Sequence, residues 1–168
     1  MTECHPVNHV GITVSDIEKG IEFYTSTFGL TLIMGPLVME TDDGLLGEIC
    51  SDLFDYNFKK GRIAHLASAN GTGIELFDFE TPAVEKRENN FEYWKTGSGI
   101  FHICMTARDI EGMAQRIVKN GGRHRSKVWN VFGEEEPYKL TYCEDPDGNI
   151  IELYTHSYEQ MLARRLSY

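Results

Sequence analysis

The chain has 168 residues, of which 41% are hydrophobic and 25% are charged, and its formal net charge is −10. This length and composition are typical of a globular protein with its own core, and we expect one domain. The acidic balance argues against nucleic acid or an anionic membrane surface as the main partner. No apolar stretch approaches the about 20 residues that a membrane-spanning helix needs.

The N-terminus and the cysteines together favour a cytoplasmic protein. The segment MTECHPVNHV has no basic region followed by an apolar one, so we expect no secretory signal. The four cysteines are scattered, without a C-x-x-C pair. This spacing favours free thiols in a reducing compartment over disulfides or a cysteine-based metal site.

The first half of the chain predicts one strand, one helix and three further strands. Asp16 is a suitable helix N-cap, and Gly29 ends the helical pattern where a left-handed residue is expected. The segment 40–60 has no clear period, and we interpret it as a loop or partly helical insertion that could cover a site. The predicted elements are a strand at 7–14, a helix at 17–28, and strands at 30–39, 62–68 and 73–79.

The second half begins again after a polar segment and repeats this order. A tight turn, EDPDG, precedes the last strand, because Pro146 fixes φ and Gly148 tolerates a positive φ. The predicted elements are strands at 100–107, 123–128, 138–143 and 150–154, and helices at 109–120 and 157–166. The predicted organisation is module one at about 5–80, a linker at about 81–98, module two at about 99–156 and a C-terminal helix at about 157–168.

The two halves form an internal repeat. HVGITVSDIE, which begins at His9, matches HICMTARDIE, which begins at His102. GIELF, which contains Glu75, matches IIELY, which contains Glu152. Each half therefore reads β-α-β-β-β, with a histidine on its first strand and a glutamate on its last.

A pseudo-twofold relation between the halves would bring both His–Glu pairs to one point. Two imidazole nitrogens and two carboxylate oxygens make a mixed site suited to one divalent ion of Ni, Zn, Co, Fe or Mn. A lone strand histidine or glutamate is more often structural or solvated, but four at equivalent repeat positions are hard to explain that way. The predicted metal ligands are His9, Glu75, His102 and Glu152.

Side chains that share the strand faces of these ligands are candidates for a substrate pocket. For the aromatic residues, core packing is the alternative, and for the cysteine a small buried apolar role. The pocket candidates are Thr13, Phe77, Phe79, Cys104 and Tyr154. The other histidines lack repeat partners, and we expect structural or surface roles for His5, His65, His124 and His156.

These motifs resemble the vicinal oxygen chelate superfamily, which includes glyoxalase I, methylmalonyl-CoA epimerase, fosfomycin resistance proteins and extradiol dioxygenases. HVGITVSDIEKGIEFYTSTFGL, HICMTARDIEGMAQRIVKNGG and EDPDGNIIEL are most similar to glyoxalase I and its relatives. The resemblance covers most of residues 7–155. It implies an α+β fold, a single domain over 1–168, in which two tandem βαβββ modules form an open eight-stranded mixed β-barrel around the metal, with helices outside.

The resemblance implies a metal-dependent lyase or isomerase that transfers a proton next to a metal-chelated oxygen of a small substrate. It implies the same four ligands, with Glu152 as principal base and Glu75 as its partner. A glutamate at the second ligand position favours glyoxalase I over the epimerases, which commonly carry Gln there, and over the three-ligand dioxygenases. Thr13 and Phe79 replace an Arg that binds glutathione and an Asn in bacterial glyoxalase I, so the resemblance does not extend to the glutathione contacts.

Two other interpretations stay open at this point. One is an epimerase or extradiol dioxygenase of the same superfamily, and the other is a non-catalytic small-molecule binding or resistance protein. Members of the latter kind usually lack the ligand set. Dimers are common in the superfamily, so we expect a homodimer, with the metal site either within one chain or shared by two.

Overall fold

The computed structural model describes residues 2–42, 44–54, 56–85, 89–95 and 99–163. The chain divides into two compact units, Met1–Lys86 (unit 1) and Arg87–Tyr168 (unit 2). The division lies inside the segment 81–98 that the sequence assigns to a linker, and a short 3-10 helix spans Asn90–Lys95. Residues 86–88 and 96–98 of that segment lie outside the described residues.

Unit 1 contains a mixed sheet with the strand order β1-β4-β3-β2. β1 pairs parallel with β4, while β3 pairs antiparallel with both β2 and β4. The strands predicted from the alternating pattern are present, with slightly different ends. The elements are β1 (His9–Thr13), α1 (Ile17–Phe28), β2 (Thr31–Glu40), α2 (Gly44–Leu53), β3 (Lys60–Ala67) and β4 (Gly73–Thr81).

Helix α1 begins and ends where the sequence signals place it. The Asp16 side chain accepts a hydrogen bond from a backbone N–H of the first turn, and Gly29 ends the helix in the left-handed region at φ 70°. The helix approaches the sheet closely at Gly20, where an added Cβ would lie 3.2 Å from Val14 and 3.3 Å from Leu76. A glycine inside this helix therefore permits the close helix–sheet packing.

The segment 40–60, predicted as a loop or partly helical insertion, contains helix α2. One side of α2 packs with residues of β2, β3 and β4 in an aromatic cluster formed by Met39, Leu46, Cys50, Phe54, Phe58, Ile63, Phe77 and Phe79. In this aromatic cluster the centroid of the Phe54 ring lies 4.9 Å from that of Phe58 and 5.2 Å from that of Phe79. The other side is apolar but exposed, at Leu45, Ile49 and Leu53. Apolar residues on both sides hide the helical period in the sequence.

Unit 2 contains a five-stranded sheet with the order β5-β9-β8-β6, in which β7 also pairs with β8. β5 pairs parallel with β9, and β8 pairs antiparallel with β6, β7 and β9. The elements are β5 (Ile103–Thr106), α3 (Ile110–Lys119), β6 (Arg123–His124), β7 (Trp129–Asn130), β8 (Lys139–Glu144), β9 (Ile150–Tyr154) and α4 (Tyr158–Leu162).

The single strand predicted at 123–128 is wrong, because β6 and β7 are separate short strands. The interruption has a local cause at Ser126, whose hydroxyl accepts a hydrogen bond from the Tyr142 backbone N–H at 3.0 Å. The backbone N–H groups of Arg125 and Ser126 both donate to the Tyr142 carbonyl oxygen. A serine side chain thus takes the place of a backbone acceptor and breaks the regular ladder.

The helices of unit 2 carry the expected caps. Asp109 accepts a hydrogen bond from a backbone N–H of the first turn of α3, and the buried residues of this helix recur at helical spacing: Ile110, Ala114 and Ile117. Helix α4 begins with a capping box formed by Ser157 and Gln160. Residues 164–168 of the predicted C-terminal helix lie outside the described residues.

The architecture is α+β, as predicted. The described residues form four α-helices and two mixed sheets. Each sheet is an open ladder, and the predicted closure into an eight-stranded barrel is not confirmed. Within the described ranges, no helix has the length and apolar character needed to cross a bilayer.

Candidate functional site

The first predicted pair of ligands lies on neighbouring parallel strands of unit 1. His9 begins β1 and Glu75 lies on β4, where the strand register pairs His9 with Gly73 and Gly11 with Glu75. Because parallel neighbours run side by side, side chains on the same face of the two strands can meet. The His9 Nε2 atom lies 3.3 Å from Glu75 Oε2.

A neighbouring amide orients the His9 ring. His9 Nδ1 lies 2.8 Å from the Asn8 Oδ1 atom, which can only accept a hydrogen bond. In the tautomer in which Nδ1 donates to Asn8, the Nε2 lone pair of His9 is available to a metal ion. A metal-ligating histidine is commonly held in this way, with its second nitrogen donating to an oxygen.

An aromatic ring lies on the same face of β4 as Glu75. Phe77 follows Glu75 on the same face of β4, and an added Cβ at Gly11 would lie 3.2 Å from the Phe77 ring. Gly11 therefore leaves the space that this ring occupies. Phe77 stacks on Phe79 with 5.9 Å between ring centroids, so the predicted pocket residues of β4 belong at the same time to the aromatic cluster.

His65 is a neighbour of Glu75 that the sequence prediction missed. It lies directly across from Glu75 on β3. Its Nδ1 atom is 3.2 Å from Glu75 Oε1, the oxygen not directed at His9. The structural or surface role expected for His65 is therefore incomplete, since the side chain contacts a predicted ligand.

The second predicted pair has the same geometry in unit 2. His102 lies just before β5, Glu152 lies on the parallel neighbour β9, and the distance from His102 Nε2 to Glu152 Oε2 is 3.1 Å. The turn before β9 is built as predicted. Asp145 Oδ1 accepts hydrogen bonds from two backbone N–H groups of the turn, and Gly148 has a φ of 88°.

Two protic side chains surround the Glu152 carboxylate. Tyr142 lies across from Glu152 on β8, and Cys104 lies across from it on β5. The Tyr142 hydroxyl and the Cys104 thiol both donate hydrogen bonds to the carboxylate. Burial raises the pKa of both groups above their ordinary values, and the charge of Glu152 raises it further, so both groups stay protonated.

The remaining pocket candidates lie where strand alternation placed them. Cys104 retains exposed surface, although neighbouring groups desolvate its thiol, so the small buried role considered for it is wrong. Tyr154 is half-buried, and burial followed by the charge of Glu152 raises the pKa of its hydroxyl. Thr13 is half-buried and pairs in register with Phe77.

The spacing within each His–Glu pair fits two ligands of one metal ion. Ligand atoms about 2.1 Å from an ion, at tetrahedral or octahedral angles, lie about 3.0–3.4 Å apart. The two measured separations, 3.3 Å and 3.1 Å, fall in this interval. In the part of the chain that the structure describes, no group of three or more His, Cys, Asp or Glu side chains could hold a metal ion. Each pair by itself supplies two ligands.

Comparison with known proteins identifies the family. Residues 7–153 match the family model of the Glyoxalase/Bleomycin resistance protein/Dioxygenase superfamily. The chain belongs to this superfamily.

Several curated members of the superfamily are similar in sequence. The chain is 29% identical over 161 residues to a lactoylglutathione lyase from Schizosaccharomyces pombe, covering 91% of the chain but only 48% of that enzyme. It therefore spans about half the length of this relative. It is 25% identical over 150 residues to a probable lactoylglutathione lyase from Synechocystis, covering 86% of the chain and 91% of that protein.

Solved structures of the superfamily share the fold. A glyoxalase family protein from Bacillus cereus aligns with a TM-score of 0.69 at 24% identity, over 91% of this chain and 95% of that protein. The fosfomycin resistance protein FosX from Listeria monocytogenes aligns with a TM-score of 0.59 at 17% identity, over 96% and 99% of the two chains. At these identities the likeness extends to the fold alone.

Proposed function

We propose that this superfamily member is a metal-dependent lyase or isomerase of glyoxalase I type. The observation that carries the proposal is the repeated His–Glu contact, 3.3 Å in unit 1 and 3.1 Å in unit 2. A relative named lactoylglutathione lyase at 29% identity and one named probable lactoylglutathione lyase at 25% identity support an enzyme of the superfamily.

The proposed cofactor is one divalent ion of Ni, Zn, Co, Fe or Mn, which imidazole and carboxylate donors suit. When bound, the ion would stabilise negative charge on a substrate oxygen. The proposed ligands are His9, Glu75, His102 and Glu152. We also keep the eight-stranded barrel of two modules as part of the proposal, with both His–Glu pairs supplied by one chain or by the two chains of a homodimer.

Glu152 is the proposed principal base, and Glu75 is its partner. A base must hold its carboxylate at the acidic carbon of the substrate during proton transfer. The Glu152 side chain is only 6% exposed and accepts hydrogen bonds from Tyr142 and Cys104, which fix its direction. The Glu75 side chain is 23% exposed, and this accessibility suits exchange of the proton with solvent.

The proposed substrate is a small molecule with an oxygen that can be chelated. The half-buried Phe77 ring beside Gly11 would offer an apolar wall on the strand face that carries Glu75. Neither Thr13 nor Phe79 supplies a positive charge for a glutathione carboxylate. The substrate proposal therefore includes hemithioacetals without requiring the glutathione contacts of bacterial glyoxalase I.

Metal analysis followed by a substrate panel tests this proposal. The purified protein is analysed for metal, stripped with a chelator, reloaded with Ni or Zn, and assayed on a hemithioacetal, a catechol and an acyl-CoA. We expect bound divalent metal and turnover of the hemithioacetal. If the protein retained no divalent metal and bound none in titration, every metal-enzyme assignment would fail together.

The same panel separates the alternatives within the superfamily. Iron dependence with oxygen uptake on the catechol would identify a dioxygenase, whose three-ligand site would not need Glu75. Epimerisation of the acyl-CoA would identify an epimerase. Metal binding without hemithioacetal turnover would reject the glyoxalase assignment and leave the ligand assignment intact.

A further inference from the structure

We propose that Tyr142 is a positioning residue that orients both proposed ligands of unit 2, Glu152 through its hydroxyl and His102 through its ring. The inference rests on the proposed function, because it concerns the proposed metal ligands. It assigns a role to a side chain that lies outside the repeated sequence motifs.

Tyr142 and His65 occupy equivalent places in the repeat. Each lies ten residues before the glutamate of its unit, His65 before Glu75 and Tyr142 before Glu152. Each also lies directly across from that glutamate on the adjacent antiparallel strand. Directly opposed side chains on one face of a sheet are close enough to interact, and in both units the result is a polar contact with the carboxylate.

Tyr142 contacts the histidine as well as the glutamate. Its hydroxyl donates a hydrogen bond to the Glu152 carboxylate. Its ring lies 5.7 Å from the His102 ring at an interplanar angle of 72°, an edge-to-face arrangement. Phe91 and Phe101 hold the Tyr142 ring in turn, each with 6.1 Å between ring centroids. One rigid side chain therefore contacts both members of the pair.

Besides the 3.1 Å contact of its Nε2 atom with Glu152, the His102 ring is oriented by this aromatic packing. Within the described ranges, the buried Nδ1 atom of His102 has no hydrogen-bond partner. In unit 1 the corresponding nitrogen of His9 is held by Asn8 at 2.8 Å. Unit 1 thus divides the positioning between Asn8 and His65, whereas in unit 2 the same tasks fall to Tyr142 and the aromatic rings around His102.

A phenol is chemically suited to this role. Its ordinary pKa of about 10 keeps it a hydrogen-bond donor at neutral pH, and its ring brings few rotatable bonds. Partners of this kind orient the carboxylates and imidazoles that bind a metal, and their loss typically lowers metal affinity by about 10- to 100-fold. The Tyr142 hydroxyl is therefore expected to matter for metal affinity rather than for folding.

The test compares Tyr142→Phe, which removes the hydroxyl and keeps the ring, with Tyr142→His, which introduces the side chain found at the equivalent position of unit 1. Tyr158→Phe is the matched control, since Tyr158 is 70% exposed. The full chain is titrated with Zn and with Ni against a competing chelator. The side-chain NMR signals of His102 are recorded in the metal-free protein.

We expect Tyr142→Phe to bind metal at least about 10-fold more weakly than the wild-type protein. Tyr142→His is expected to recover part of the lost metal affinity, and Tyr158→Phe to bind metal like the wild-type protein. Tyr142→Phe keeps the ring, so its effect on His102 passes through Glu152, which lies 3.1 Å from His102 Nε2. The His102 signals of metal-free Tyr142→Phe should therefore shift more than those of Tyr158→Phe. Unchanged metal affinity together with unchanged His102 signals in Tyr142→Phe would overturn the positioning role.

Failure of the proposed function gives a different result. If the wild-type protein bound neither Zn nor Ni, the proposed metal site itself would be contradicted. The His102 signals of the metal-free variants would then still decide the role of Tyr142. A shift specific to Tyr142→Phe would support the positioning role without a metal, and identical spectra in both variants would reject it.

Discussion

Unit 1 and unit 2 share helix caps and helix–sheet ion pairs, which are formed by residues at matching positions of the repeat. In both, an aspartate caps the first helix, and a glutamate of its first turn reaches the sheet. Glu18 pairs with Arg62 of β3 at 2.6 Å, and Glu111 pairs with Lys139 of β8 at 2.7 Å. The repeat therefore preserves an ion pair between helix and sheet, although its basic member changes.

The two units differ around their His–Glu pairs. The side chains of His9 and Glu75 are 47% and 23% exposed, whereas those of His102 and Glu152 are 28% and 6% exposed. Apart from the histidine of its own pair, the carboxylate of unit 1 has the imidazole of His65 beside it, and that of unit 2 has a hydroxyl and a thiol. The spacing of the pair is repeated, but its surroundings are not.

This difference shows which constraints the repeat carries. Helix caps, an ion pair between helix and sheet and the approach of histidine to glutamate are needed in each unit for the same physical reasons, so they recur. The groups around the carboxylates have no such common requirement. The two glutamates are consequently unequal. Apart from the histidine of its pair, Glu152 is buried beside a hydroxyl and a thiol, whereas Glu75 is more exposed and lies beside His65.

The largest expected effect separates the two glutamates. We expect Glu152→Gln to lower metal affinity by more than the about 100-fold upper range for an outer partner, because the variant replaces a buried, negatively charged ligand. Glu75→Gln should lose less affinity, since the amide at this more exposed position keeps contact with water and with His65, which can donate or accept. Chelator competition with Zn measures both variants.

The exposed His5 provides the control variant His5→Gln, for which no change in metal affinity is expected. If Glu75→Gln lost more metal affinity than Glu152→Gln, the inferred order of the two glutamates would be reversed.

Activity of mixed variants extends the same comparison. Equal mixtures of the two glutamine variants should recover activity only where the two ligand pairs of a site come from different chains. The absence of recovery would indicate a site within one chain.

The second prediction concerns the segment 40–60, whose helix α2 has no counterpart among the described residues of unit 2. Phe58 is 5% exposed and packs in the aromatic cluster. We expect Phe58→Ala to lower the free energy of unfolding by about 3–5 kcal/mol, the usual cost of truncating a buried phenylalanine. Urea unfolding measures the change. Tyr56→Ala in the same segment is the control, because Tyr56 is 85% exposed and should change stability by less than about 0.5 kcal/mol.

The third prediction makes unit 1 resemble unit 2 at one position. Gly11 faces Glu75 as Cys104 faces Glu152, but the Phe77 ring would lie 3.2 Å from a new Cβ. We expect Gly11→Cys to reduce the free energy of unfolding by about 1–2 kcal/mol through overpacking. In a Phe77→Leu background most of this penalty should disappear. An equal penalty in both backgrounds would show that the ring is not its cause.

Much of the fold could be predicted from local sequence, because caps, turns and alternation act over short distances. Helix α2 was only partly predicted, since its exposed Leu45 and Ile49 disguise its period. The break between β6 and β7 was missed because it depends on a side-chain hydrogen bond of Ser126 with another strand.

The candidate site, like the fold, was predicted only in part from the sequence. The His–Glu pairs were predictable because their spacing is repeated in the sequence. His65 and Tyr142 were missed because their contacts depend on strand register, which the motifs do not encode. Their common distance from the two glutamates was the available signal, and it becomes meaningful only once the opposing strands are known.

The smallest expected effect concerns the two helix–sheet ion pairs. The hydrogen bond from Lys139 holds the pKa of Glu111 below its ordinary value of 4.5. A lowered pKa in the folded state means that the pair stabilises the protein above pH 4.5 and that this contribution is lost as the pH falls below it. The Glu111 side chain is about half exposed, so we expect Glu111→Gln to cost only a few tenths of a kcal/mol at neutral pH, within the about 0.2–1 kcal/mol range of surface pairs.

Glu18→Gln should cost still less, although the Glu18–Arg62 distance is as short. Arg62 keeps two other carboxylates, at 2.7 Å and 2.9 Å, whereas Glu111 is the one carboxylate within ion-pair distance of Lys139 among the described residues. Thermal unfolding of both variants between pH 3 and pH 7 checks the comparison, with the Glu111→Gln difference shrinking towards acid. A constant difference across this range would contradict the electrostatic origin, because a neutral packing defect does not depend on the protonation of the carboxyl group.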